Sequence, residues 1–180
     1  AFLEAYAPKA VILSGGPASV AEPGSPRAAD ALFALGVPVL GICYGQQVMV
    51  AQLGGAVGSE GHREFGRATL TAVEASPLLR GWAEPGDERV VWMSHGDRVD
   101  RLPDGFAVVG ASDGAPCAVV ADEARRFYGV QFHPEVIHTD HGSTLLRNFL
   151  FRVAGLAGDW SMAAYREEAE RKIREQVGDA

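Results

Sequence analysis

The chain has 180 residues, of which 47% are hydrophobic and 22% charged, enough apolar side chain to bury one domain. A formal charge of −7 and a pI near 5.2 argue against nucleic acid as a partner, because nothing here would neutralise a row of phosphates. No apolar run reaches the roughly 18 residues of a membrane span, the only cysteines are Cys43 and Cys117, and no signal-peptide pattern opens the chain, so a soluble protein of the reducing cytoplasm is expected.

Ala1 to Ala7 carry Phe2, Leu3 and Tyr6 at helical spacing and read as the last turns of a helix closed by Pro8, as if the chain began in mid-fold. Ala10 to Ser14 form an apolar strand that runs into Gly15-Gly16-Pro17. Such a loop lets a ligand reach backbone N–H groups, although an ordinary turn has the same composition. Pro26 to Leu35 place Ala29, Leu32, Phe33 and Leu35 on a helical period that Gly36 ends. Val37 to Ile42 form a second buried strand, and Gln46 to Leu53 a short helix stopped by Gly54-Gly55. This βαβ arrangement demands parallel strands, with Gly16 and Cys43 on one carboxyl edge, where open α/β sheets bind ligands.

Between that second strand and helix lies Gly41-Ile42-Cys43-Tyr44-Gly45-Gln46-Gln47. A side chain on so sharp a bend stands clear only if its neighbours two positions away are small, and Gly41 and Gly45 meet that need. The pattern is a nucleophile elbow with sulfur in place of hydroxyl oxygen, and the positive end of the following helix favours a thiolate. A buried cysteine in a close-packed turn fits the same residues.

From Gly58 to Asp122 the texture changes to short β-like runs: Ala68 to Val73, Arg89 to Met93, Phe106 to Ser112 and Cys117 to Ala121. The last pairs with Arg126 to His133 across a hairpin turn at Asp122 to Arg125. Gln131 and His133 share one face of that strand, and Val130 and Phe132 the other. Pro134 halts it and lets Glu135 turn back to the imidazole, so that one ring nitrogen is fixed and the other is free to exchange protons with a thiol. A satisfied structural histidine is the duller account. A metal site at His133, Glu135, His138 and His141 conflicts with Pro134, which prevents a helical i, i+4 pair, and no metal is expected. His141 to Ala154 then read as an amphipathic helix.

Taken together, Ser14-Gly15-Gly16-Pro17, Gly41 to Gln47 and Gly129-Val130-Gln131-Phe132-His133-Pro134-Glu135 resemble the three signatures of class I, triad-type glutamine amidotransferases. Val91-Trp92-Met93-Ser94-His95-Gly96-Asp97 and the tail Gly158-Asp159-Trp160 are similar to the amidotransferase domain of the glutamine-hydrolysing GMP synthetases. The resemblance implies a flavodoxin-like α/β fold: an open, mostly parallel twisted sheet with helices on both faces, an additional antiparallel β region, and a first βαβ unit that precedes this sequence. It implies an amidotransferase domain over 1–157 and a linker helix over 158–180 leading towards an ATP pyrophosphatase domain.

It also implies roles. Cys43 attacks the glutamine amide, His133 transfers protons and Glu135 orients it. Backbone N–H groups of Gly16 and Tyr44 hold the oxyanion, while Gln47 and Ser94, His95, Gly96 and Asp97 meet the substrate's α-amino and carboxylate end. No cofactor is implied for this domain. ATP and Mg2+ are implied for the synthetase domain, where ammonia aminates XMP, and the full protein is expected to be a homodimer.

Ser161 reads as the N-cap of a last helix with Met162, Tyr165, Ala169 and Ile173 as a narrow apolar stripe. That stripe and Arg63-Glu64-Phe65-Gly66 are candidate surfaces for docking the synthetase domain. Alternatives from the same residues are another amidotransferase subunit of the anthranilate synthase type, a γ-glutamyl hydrolase and a non-catalytic binding module.

Overall fold

The computed structural model describes residues 2–58, 63–159 and 161–178; the readings at Ala1 and Trp160 lie outside them. A seven-stranded sheet runs in the order β1-β2-β9-β8-β7-β4-β5. Its strands are β1 (Val11–Leu13), β2 (Val39–Ile42), β4 (Glu64–Ala72), β5 (Glu88–His95), β7 (Ala107–Ala111), β8 (Val119–Asp122) and β9 (Phe127–Val130). β1, β2 and β9 are parallel, with Leu13 opposite Gly41 and Gly41 opposite Gly129. All other pairings in the sheet are antiparallel. The antiparallel strands expected as an addition are thus continuous with the parallel sheet, because the β8–β9 hairpin joins the two parts. Its turn is held by the Arg125 N–H donating to Asp122 Oδ1 at 2.9 Å, with Arg126 in the left-handed region at φ 61°.

Strand alternation separates two cores. Val39 and Phe127 face one side with Leu32 of α2 (Asp30–Phe33) and Met49 of α3 (Tyr44–Gln52). Leu40, Ile42, Tyr128 and Val130 face the other, with Leu145 of α4 (Ser143–Arg147) and Phe149. Helices therefore cover both faces, as the α/β reading requires. α4 continues as a π-helical stretch over Asn148–Val153, where buried Asn148 donates to the carbonyls of Leu78 and Arg80 at 2.9 and 2.8 Å. That side chain, bonded to a loop far away in sequence, accounts for the change of winding inside the expected His141 to Ala154 helix.

Two further readings are adjusted. α2 is shorter than Pro26 to Leu35, because the Gln52 amide both accepts from the Ala28 N–H and donates to the Ala28 carbonyl, each at 2.9 Å, which holds the approach to α2 extended. A two-stranded antiparallel ribbon, β3 (Ala56–Gly58) with β6 (Arg98–Arg101), was not foreseen; β6 alternates charged residues around a single buried valine, Val99, too weak a pattern to read as a strand. α1 (Phe2–Tyr6) and α5 (Met162–Val177) lie where expected.

Candidate active site

The bend at Cys43 is sharp. The residue sits at φ 51° and ψ −108°, a conformation a non-glycine residue adopts only when its surroundings impose it, and it caps the N-terminus of α3. The surroundings are visible at the two flanking glycines. A Cβ on Gly41 would lie 2.6 Å from the Gln46 backbone nitrogen, and one on Gly45 would lie 2.0 Å from the carbonyl oxygen of Leu13. The strand before the cysteine and β1 beside it therefore press directly on the first turn of α3. The free N–H groups of that turn gather around the residue that precedes it.

His133 arrives from the opposite direction. Past the end of β9 the Gln131 N–H still donates to the Ala118 carbonyl of the neighbouring segment at 2.8 Å, whereas the His133 N–H donates to the Trp92 carbonyl on β5 at 3.0 Å. The chain thus crosses towards β5, with Thr139 as the brace: its hydroxyl donates to the His133 carbonyl at 2.6 Å and accepts from the Trp92 N–H at 3.1 Å. The imidazole Nδ1–H donates to Glu135 Oε1 at 2.7 Å. Its pKa is raised to about 9, first by its hydrogen bond with the Cys43 sulfur and, against the pull of burial, by Glu135. Gly15 closes the site from the β1 side: a Cβ there would stand 3.0 Å from the His133 ring and 3.6 Å from the Cys43 Cβ.

These groups open onto one cavity of about 850 Å³, which is lined by Gly16, Cys43, Gln47, Ser94, His95, Gly96, Asp97 and His133 and rimmed by Arg63, Phe65 and residues 17–19 and 21–23. Of the residues singled out in the sequence, Tyr44 contributes from below. Its ring lies against Gly16, with a Gly16 Cβ falling 3.6 Å from it, and its hydroxyl donates to the Pro26 carbonyl at 2.7 Å. The His95 side chain is almost wholly buried. Its Nδ1 lies 3.0 Å from the Asp97 carbonyl and its Nε2 3.3 Å from Glu64 Oε2. Burial lowers its pKa from the ordinary value against the opposing effect of Glu64. His138 packs on Trp92 in a tilted ring pair with centroids 4.4 Å apart, and His141 lines a separate cavity with Trp82 and Arg89. Among the described residues no group of three or more His, Cys, Asp or Glu is placed to hold a metal ion. Cys117 is remote from the elbow motif in role: its carbonyl accepts from the Gln46 amide at 2.8 Å, and burial pushes its thiol pKa up.

Two contacts to the sulfur were not read from the sequence. The Cys43 thiol donates to the Ser94 carbonyl at 3.6 Å, and the Gln131 side-chain amide donates to the sulfur at 3.7 Å. The signal for Gln131 was present, since it alternates onto the same face as His133. The Ser94 carbonyl left none, because main-chain atoms carry no residue code.

A sulfur on a strained strand-to-helix bend, opening onto the same cavity as an imidazole that a carboxylate orients, is the constellation of thiol-based acyl transfer. The family sequence model of glutamine amidotransferase class-I matches residues 2–153. The chain belongs to that family. GMP synthase [glutamine-hydrolyzing] of Phenylobacterium zucineum is 60% identical over 179 residues, spanning 99% of this chain and 34% of its own length. The protein of the same name from Brucella melitensis is 60% identical over 172 residues, 95% of this chain and again 34% of its own length. This chain therefore spans about a third of the curated relatives it matches and corresponds to their amidotransferase portion. Among solved structures, a Thermoplasma acidophilum protein provisionally assigned as a GMP synthase A subunit superposes with a TM-score of 0.65 at 28% identity, covering 90% of this chain and 76% of that one. A glutamine amidotransferase from Thermotoga maritima superposes with a TM-score of 0.59 at 25% identity, covering 91% and 65%. No described helix is long and apolar enough to cross a membrane.

Proposed function

We propose that this chain is the glutaminase unit of a GMP-forming synthetase of the cytoplasm, with residues 1–157 as the hydrolytic domain and 158–180 as the connection to a synthetase domain. The observation that carries the reading is the convergence of Cys43 and His133 on one cavity, with the imidazole Nδ1 held by Glu135. The Cys43 thiolate adds to the carbonyl carbon of the glutamine side-chain amide. The resulting oxyanion is taken up by the backbone N–H groups of Gly16 and Tyr44, donors of a type whose loss costs on the order of 10² to 10³ in rate. Imidazolium His133 gives its proton to the amide nitrogen, the C–N bond breaks, and ammonia leaves a glutamyl thioester. Neutral His133 then takes a proton from water as the oxygen attacks the thioester, and glutamate departs with the thiolate and imidazolium restored.

Gln47 and the Ser94 to Asp97 loop line the cavity beside Cys43, which suits them to the substrate's α-amino and carboxylate groups. Ammonia passes on to amination of XMP, with ATP and Mg2+ and the dimer interface of the whole protein belonging to the length outside this chain. The exposed apolar stripe of α5 and the rim at Phe65 are the surfaces that meet that remainder. Incubation with a diazo-ketone analogue of glutamine followed by peptide mass spectrometry should yield one adduct, on Cys43, and none in Cys43→Ala. A folded chain that forms no adduct with the glutamine analogue, while Cys43 still reacts with iodoacetamide, would overturn the reading.

A further inference from the structure

The triad accounts for one side of the Cys43 sulfur only. Beyond it stand the Ser94 carbonyl, 3.6 Å from the sulfur, and Gln131, 1% exposed, with its Nε2–H pointed at the sulfur over 3.7 Å. A primary amide can present either its oxygen or its nitrogen, and what decides here is Gln47. The Gln47 Nε2 donates to Gln131 Oε1 at 3.2 Å, which leaves the Gln131 N–H groups facing Cys43. Gln47 is in turn oriented by its second donor bond, 2.8 Å to the Asp97 carbonyl, and His95 Nδ1 meets that same carbonyl at 3.0 Å. In the run Asp97 carbonyl, Gln47, Gln131, Cys43 sulfur, the Gln47 amide donates both to the Asp97 carbonyl and to Gln131 Oε1, and Gln131 donates onward to the sulfur; both glutamine side chains are buried. Gln131 does not line the cavity. A buried N–H donor held at a sulfur stabilises the anion over the thiol, and it fixes where the sulfur stands relative to His133.

We propose that Gln131 is a positioning residue for the nucleophile, its amide set by Gln47, so that the placement of the Ser94 to Asp97 loop is transmitted to the Cys43 sulfur. The proposal rests on Cys43 being the nucleophile, but its test does not depend on glutamine turnover. The variants are Gln131→Glu, which keeps the oxygen that accepts from Gln47 and replaces the donor by a carboxylate oxygen, and Gln131→Met, which fills the same space with no donor. The readout is the rate constant for alkylation of Cys43 by iodoacetamide, a small electrophile that has no need of the glutamine subsite, at neutral pH, alongside the thermal midpoint. Loss of a hydrogen bond to an ionised group predicts slowing of about tenfold or more in both variants, with Gln131→Met retaining a cooperative melt. A residue with only a packing role predicts the reverse for Gln131→Met, an altered midpoint with unchanged alkylation, and that result would overturn the proposal. Where glutamine is turned over, kcat should fall with KM within about twofold; a rise in KM at constant kcat would equally reject it.

Discussion

The Cys43 sulfur, and after it the Glu135 carboxylate, keep a proton on His133 that burial alone would remove, so the ring is an imidazolium up to about pH 9. In the proposed cycle that proton is needed when ammonia departs, and turnover should therefore decline as pH rises through about 9. Glu135→Gln removes one of the two groups that hold the proton while keeping an oxygen near Nδ1. The alkaline limb of kcat/KM should then move to lower pH, and the rate at neutral pH should fall roughly tenfold or more; an unmoved limb would mean that Glu135 has no part in setting the His133 proton. The sign for stability follows the same affinity. His133 binds its proton more tightly folded than unfolded, so its contribution is complete below about 6.5, its ordinary value, and is lost as pH rises through about 9. Urea midpoints compared at pH 7.5 and 9.5 should drop further in the native chain than in His133→Gln.

At the scale of elements, the site exists because β1, β2 and α3 approach within backbone contact. Gly45→Ala would place a methyl group 2.0 Å from the Leu13 carbonyl oxygen, a rigid main-chain atom in a strand that cannot move without losing its pairing to β2. The expected cost is about 3 kcal/mol or more in urea unfolding, and any folded fraction should have lost Cys43 labelling by the glutamine analogue, since Leu13 leads straight into Gly15 and Gly16. This steric core of the site was legible in the sequence, because glycine spacing around Cys43 states the closeness of two backbones outright. So was the meeting of Gly16 and Cys43 at one edge, since βαβ handedness fixes where those strand ends lie. What escaped were features set by long-range partners: the β3–β6 ribbon, with three residues on one strand and charges on the other; the π-helical turn bent around Asn148; and the two contacts to sulfur. The side chain of Gln131 lay on the right face in the sequence reading. Its target became apparent only once α3 had brought Cys43 beside it.

At the scale of the molecule, the surface is uneven in a way the site does not require. Every described side chain from Met162 to Val177 except Ala169 is exposed, and Met162, Tyr165, Ile173 and Val177 repeat on one helical face at 55% exposure or more. An exposed helix of this length is sustained by its own i, i+4 ion pairs, of which Arg171–Glu175 and Lys172–Glu168 are examples. It therefore adds little to the domain. Phe65, 68% exposed, stands at the rim of the open cavity. An apolar residue there and an apolar stripe on a solvated helix are both explained if the remaining length of the protein covers them, and covering the rim would also finish enclosing the substrate. A chain ended after Gly158 should then unfold within about 0.5 kcal/mol of the longer one, as surface changes do, and Cys43 should alkylate at the same rate. The full-length protein carrying Phe65→Ser and Ile173→Ser should keep that stability but release less ammonia in the proposed GMP-forming cycle. A loss of several kcal/mol on truncation would show instead that α5 is part of the hydrolytic domain's own core, and the division at 157 would have to be moved.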